Sequence, residues 1–352
     1  MNTPTTKELI NASMAFLTYA GESLAISATT VFQIAERINK ALPAYPNLND
    51  DWQIVWGPAL YSSDVVDDKK QANLTFIAQS HSMPSSYIVA TRGTVSNDFW
   101  EWFTEDLAVN FTLWPTSLNT DATPYISAAT ANGLRVVLNT TPPSVAQTPK
   151  GFSPLPGAGQ NLAEFLATLT DQKTTELCFT GHSLGGAIAP ALALWFKQTQ
   201  GNAQLPNNPI FFPMPSWDSN NVANISCVSL AGATPGDKAF SSYFDTLLGE
   251  SYDRIYNTHD VVPHAFAEFD QMAGLYEPTI GMTFAEKAAL DAMKLRLKEE
   301  QHKINAVYTN LPNANPFTYP LDTTKNSYAG QALYQHITAY ELAFNLPAST
   351  GV

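Results

Sequence analysis

The spacing of apolar and polar positions divides this chain into a helical start, an alternating strand and helix middle, and a mostly helical end. Leu9, Ile10, Met14, Phe16 and Leu17, then Val31, Ile34, Ala35, Ile38 and Leu42, recur at helical intervals. Two helices are therefore expected between Lys7 and Leu42, the second stopped by Pro43. No glycine-rich chemistry follows them, so they read as a lid or strap outside the sheet. Short apolar runs at Trp52–Leu60, Asn73–Ala78 and Ser86–Thr91 read as strands, the last ending in Arg92-Gly93-Thr94. A strand-like piece, 134–138, stands alone in a Thr-, Pro- and Ser-rich stretch that reads as surface connection.

The middle of the chain alternates. A helix is expected over Asn161–Thr170, a strand over Thr175–Thr180, and a helix over Leu184–Gln198. After a proline-rich stretch come a strand over Ile225–Leu230, a helix near Ala239–Leu248 and a strand over Tyr252–Tyr256. That alternation implies an α/β fold with a mostly parallel sheet and helices on both faces. Thr283 to Val307 alternates charges with spaced leucines and reads as a solvated helix, and a last helix is expected over Gly330–Phe344.

Within this frame one stretch carries chemistry. Thr180-Gly181-His182-Ser183-Leu184-Gly185-Gly186 lies between a buried strand and an alanine-rich helix, the setting of a nucleophile elbow. Gly181 and Gly185 are required because strand and helix pass too close for side chains. Free N–H groups at the helix start favour a developing oxyanion. His182 adjoins Ser183, so its side chain points away from the serine's and it serves in support.

A serine hydroxyl needs a base, and the base an orienting carboxylate. The chain has six histidines. His81 precedes the relevant strands and His302 lies in the charged helix, which leaves His259, His264 and His336. Asp260 stands just past the strand Tyr252–Tyr256, and His264 is too close to it in sequence to reach the serine as well. His336 completes the order serine, acid, histidine. Asp237 competes with Asp260 as the acid, but its place before a helix fits an N-cap equally well. The oxyanion hole is expected from the Leu184 N–H and from Thr94, at the end of an earlier strand.

Composition narrows the partners. A net charge of −13 and only 18 Lys and Arg argue against nucleic acid. No window approaches the run of about 18 apolar residues of a membrane span. Cys178 and Cys227 both fall in strand-like runs and read as reduced thiols. The first residues lack the pattern of a signal peptide, so a cytoplasmic location, export by another route or a removed leader are the expectations. No H-E-x-x-H, clustered Cys, P-loop or dinucleotide fingerprint is present, and no metal or organic cofactor is expected.

Taken jointly, Ile88–Thr94, Thr180–Ala187, Gly232–Asp237, Asp260-Val261-Val262-Pro263 and His336 before a helix resemble the class 3, fungal-type, triacylglycerol lipases of the α/β-hydrolase fold. The resemblance spans about residues 70 to 345. It implies Ser183, Asp260 and His336 as a triad, Thr94 and Leu184 as oxyanion donors, and a mobile lid after Thr94. Two cysteines and long segments near 113–150, 201–222 and 266–328 depart from secreted fungal members and suggest a bacterial-type branch. The whole chain, 1–352, reads as one domain, with N-terminal helices over 1–45 and the lid near 95–112.

The lid also follows from helix geometry. On a helix, Phe99, Trp100, Trp102, Phe103 and Leu107 share one face, as an interfacial switch requires, although a core-facing helix would show the same stripe. Asp106 falls inside that face and needs a partner. By analogy with an aspartate similarly placed in the family, that partner is the Thr94 hydroxyl. The expected activity is hydrolysis of triacylglycerols at an oil–water interface, through an acyl-enzyme on Ser183. Phospholipase, soluble-ester esterase and peptidase activities are alternatives, and a non-enzymatic lipid-binding protein is the rival from another class.

Overall fold

Strand β3 (Ser86–Arg92) lies parallel to β6 (Thr175–His182), with Thr91 opposite Gly181 and Arg92 opposite His182. That register brings the end of one strand beside the start of the elbow on the other. The structure, a computed structural model, describes residues 3–63, 70–93, 108–115, 123–170, 174–201 and 217–348. Thr94, Phe99, Trp100, Trp102, Phe103 and Asp106, with most of the expected lid, lie outside the described residues.

The main sheet has the order β1-β2-β3-β6-β7-β8-β9. Strands β1 (Trp52–Ser63), β2 (Lys70–Ser80) and β3 pair antiparallel. From β3 through β6, β7 (Ala223–Leu230), β8 (Tyr252–Asn257) and β9 (Ala314–Phe317) the pairing is parallel. Two short strands, β4 (Phe111–Leu113) and β5 (Tyr125–Ser127), form a separate ribbon. The sheet is mostly parallel and helices cover both faces, as the alternation of apolar runs implies.

One face is covered by α3 (Ala128–Asn139), α4 (Leu162–Thr170), α5 (Leu184–Gln198) and α6 (Lys238–Leu248), whose side chains join Val89, Leu177 and Phe179 in a single core. Helix α5 is buried on almost every side, because an alanine-rich helix apolar all round has no polar face to give to water. The other face is covered by α1 (Thr6–Leu17) and α2 (Thr30–Ala41), with Tyr340 and Phe344 from the chain end. Thr5 and Glu8 close α1 at its start with a reciprocal capping box. Met14, Phe16 and Leu17 are fully buried. The N-terminal helix is therefore a core layer of the sheet and not a strap outside it. Each such side chain contributes roughly 1.5–3 kcal/mol on burial.

The strand expected at 134–138 is instead the second half of α3. Ser127 caps that helix by accepting from the Thr130 N–H at 3.1 Å, and Leu134, Val137 and Leu138 pack in the core beside α5. Its Gly133 lies so close to Ile188 that a Cβ there would collide with that side chain. Tertiary packing of an apolar run has overridden the β-preference of its valines. Strand β9 was hidden in a proline-bearing polar stretch, which an edge strand tolerates.

Helix α7 (Phe284–Ile304) buries Leu290, Met293 and Leu297 while Leu295 is exposed. The last expected helix is two: α8 (Tyr328–His336) and α9 (Thr338–Ala343), broken at Ile337 (φ −119°, ψ −71°). Cys178 and Cys227 are free thiols.

Candidate active site

Ser183 sits between β6 and α5 with φ 62° and ψ −130°, a conformation that a side chain resists. The turn persists because its surroundings over-determine it. The Ser183 N–H donates to Leu230 O at 3.1 Å, and the Gly186 N–H returns to Ser183 O at 2.8 Å. A Cβ on Gly181 would collide with the Gly185 carbonyl, and one on Gly185 with the Thr91 carbonyl. Only glycine lets the strand end, the elbow and β3 approach this closely.

The same crowding sets what faces the serine. Leu184 opens α5, so its N–H is one of the first-turn donors that a helix leaves without an internal carbonyl. Gly93 lies against Leu184, with the Gly185 N only 3.0 Å from where a Gly93 Cβ would stand. Gly93, just past β3 and one residue before Thr94, thus borders the helix N-terminus. A concentration of N–H donors and the helix dipole at this point suits an anionic oxygen.

Asp260 and His336 meet although 76 residues separate them. His336 Nδ1 lies 2.9 Å from Asp260 Oδ2 and 3.0 Å from Oδ1. Both residues are buried. Asp260 is held in the turn after β8, where its N–H donates to Asn257 O at 2.9 Å and its Oδ1 accepts from the Val262 N–H at 3.0 Å. Tyr340 adds a hydroxyl, donated to Asp260 Oδ2 at 3.0 Å. Both oxygens of this buried carboxylate therefore have hydrogen-bond donors. An imidazole whose Nδ1–H is committed to it presents Nε2 as a base.

His336 also touches the elbow. The His182 and His336 rings lie 4.7 Å apart between centroids, and His182 Nε2 is 2.8 Å from His336 O. His182 points to the α1 side of the sheet, as alternation along β6 dictates. There Tyr19 OH lies 3.0 Å from His182 Nδ1. Burial, with His336 alongside, pushes the His182 imidazole well below its ordinary value. Burial likewise lifts the Tyr19 phenol well above its own.

The other two candidate histidines, His259 and His264, are engaged elsewhere. His264 bridges Glu268 Oε2 at 2.9 Å and Thr258 O at 3.1 Å, and His259 Nδ1 lies 2.7 Å from Tyr319 O. Asp237 caps α6, accepting from the Phe240 N–H at 2.8 Å. Among the described residues, no group of three or more His, Cys, Asp or Glu is arranged to hold a metal ion, and no helix is long and apolar enough to cross a membrane.

The class 3 lipase family model matches residues 88–269, just over half of the chain, including β3, the elbow and the acid turn. The chain belongs to the class 3 lipases. It is an ester hydrolase with the α/β-hydrolase fold. The crystal structure of M37 lipase superposes with a TM-score of 0.80 at 24% identity, over 98% of this lipase and 96% of that chain. Lipase II from Rhizopus niveus aligns with a TM-score of 0.44 at 18% identity, over 74% and 76% of the two chains. For Rhizomucor miehei triacylglyceride lipase the values are 0.42, 17%, 75% and 76%. No curated protein sequence matches this one.

Sequence reasoning missed several residues around the lipase's site. Tyr340 had a usable signal, since it follows His336 at the i, i+4 spacing of one helix face. Tyr19 had none, because nothing local ties the end of α1 to an elbow far along the chain. Arg92, at the end of β3, reaches across to the N-terminal segment, where its guanidinium donates to Thr18 O at 3.0 Å. Desolvation lowers its pKa to about 10.

Proposed function

We propose that this lipase hydrolyses acylglycerols through an acyl-enzyme on Ser183, with His336 as general base and acid and Asp260 as the orienting acid. The hydrogen bond between His336 Nδ1 and Asp260, made beside the elbow, is the observation that carries the reading. His336 Nε2 takes the Ser183 proton as Oγ attacks the ester carbonyl, and the carbonyl oxygen becomes an oxyanion. The Leu184 N–H and Thr94 stabilise that oxygen, each donor contributing on the order of 10²–10³ in rate.

Collapse of the tetrahedral intermediate breaks the ester C–O bond, and His336 returns the proton to the leaving alcohol. Water then attacks the acyl-enzyme with His336 again as base, releasing the fatty acid and restoring Ser183. Asp260 stabilises the imidazolium formed in each half and keeps Nδ1 protonated, so that Nε2 always faces the reaction. The segment with Phe99, Trp100, Trp102 and Phe103 is the lid, exposing its aromatic face at a lipid surface.

Fluorophosphonate labelling tests the nucleophile. Wild type carries the adduct on Ser183, and Ser183→Ala carries none. Rates on triolein emulsion, tributyrin emulsion and phosphatidylcholine test the substrate. The reading expects triolein to be hydrolysed, with a rise in rate once droplets form. Activity confined to phosphatidylcholine or to dissolved esters would replace it with the phospholipase or esterase reading.

A further inference from the structure

We propose that Tyr19, in the turn just past the N-terminal helix, is a positioning residue of the active site, acting through His182 to hold the backbone of His336. The proposal rests on His336 being the general base.

At Ile337, after α8, the helix changes course, and the Tyr340 N–H bonds to Ile337 O at 3.0 Å. The His336 carbonyl turns to His182 Nε2, 2.8 Å away. A carbonyl oxygen only accepts, so His182 Nε2 carries the hydrogen. His182 is neutral, since its pKa is well below the ordinary value, and Nδ1 is therefore an acceptor. Tyr19 OH, 3.0 Å from Nδ1, donates to it. The opposite tautomer would set a lone pair on Nε2 against the His336 carbonyl oxygen. The Tyr19 hydroxyl thus matches the tautomer that grips the residue bearing the base.

Tyr19 is itself held from several sides. Its N–H donates to Phe16 O at 3.0 Å, and Phe16 is a buried core residue whose ring lies 4.6 Å from His182. The Arg92 guanidinium stands 5.9 Å from the Tyr19 ring centre and bonds the carbonyl of the preceding Thr18. The Tyr340 ring, edge-on at 5.4 Å, closes another side of His182. The base reaches the serine from a distant part of the chain, and this cage ties its backbone to the residue beside the nucleophile. Small misplacements of a catalytic group are costly, so a fixed backbone matters for turnover more than for substrate binding.

The test is Tyr19→Phe, which keeps the ring and removes one hydroxyl, measured on a soluble ester and by ¹⁵N NMR of the histidine side chains. A fall in kcat of about 10-fold with KM within about 2-fold is expected. The His182 resonances should move from a single Nε2–H tautomer toward a mixture. As a second arm, His182→Gln can still donate near the Nε2 position and should retain about 10-fold more kcat than His182→Leu. Wild-type kcat and an unchanged tautomer in Tyr19→Phe, or equal losses in the Gln and Leu variants, would overturn the proposal. A wild-type enzyme in which Ser183 takes no fluorophosphonate would instead sink the triad reading beneath it.

Discussion

Tyr340 donates its hydroxyl to Asp260 Oδ2 at 3.0 Å, while its phenol oxygen accepts the Asn257 N–H at 2.9 Å. One phenol, on the helix that follows the break after His336, thereby ties the acid turn to the end of β8. Its pKa lies well above the usual value because it is buried beside Asp260, so it remains a donor through the working range. Tyr340→Phe leaves one carboxylate oxygen short of a donor and one buried N–H short of an acceptor. Urea unfolding should show a loss of about 1–3 kcal/mol. kcat on a soluble ester should fall several-fold, and unchanged values in both measurements would contradict this account.

Ser183 holds a backbone conformation that suits glycine better than any side chain. Ser183→Gly and Ser183→Ala both lose the hydroxyl and should be equally inactive. Only the glycine variant releases the strain, which is of order 1–3 kcal/mol before the entropy of the freer unfolded chain is subtracted. Thermal unfolding should therefore place Ser183→Gly above Ser183→Ala. The reverse order would mean that the elbow is not strained.

Two aspartates follow strands and were candidates for the acid, and their surroundings separate them. Asp237 accepts from the Phe240 and Tyr125 N–H groups at 2.8 and 3.1 Å, so Asp237→Ala should cost about 1–2 kcal/mol in stability with kcat within about 2-fold of wild type. Asp260→Asn should lose kcat by about 10⁴-fold, through loss of the correct His336 tautomer. Steady-state kinetics beside an unfolding curve for each variant decides the assignment.

His182 gives stability a pH dependence with a definite sign. Its folded pKa lies well below the ordinary 6.5, so between the two the unfolded chain binds a proton that the native state refuses. The contribution is complete above about pH 6.5 and shrinks as pH falls toward the folded value, by up to about 1.4 kcal/mol per unit. Denaturant midpoints from pH 7 downward should show that slope in wild type. His182→Gln, which does not titrate, should lack this component, and an identical slope in both proteins would count against a buried neutral His182.

Much of the frame could be read from the chain directly. The strands β1 to β3 and β6 to β8 and the elbow helix follow from apolar runs and glycine spacing, all local in sequence. Run 134–138 was misread because a short apolar segment fits a buried strand or a buried helix equally well. Strand β9 was unreadable because an edge strand needs neither alternation nor an absence of proline.

The amino-acid order alone determined that one serine stands on a strand-to-helix turn, since that turn needs its glycines within a few residues. It also determined that both faces of the sheet are covered, because strands and helices alternate along the middle of the chain. Only the tertiary structure decided that Asp260 meets His336, and that α1 lies in the core and brings Tyr19 to His182. Those contacts join residues scores of positions apart, and their geometry comes from strand register and from a helix break at Ile337 that no local pattern encodes.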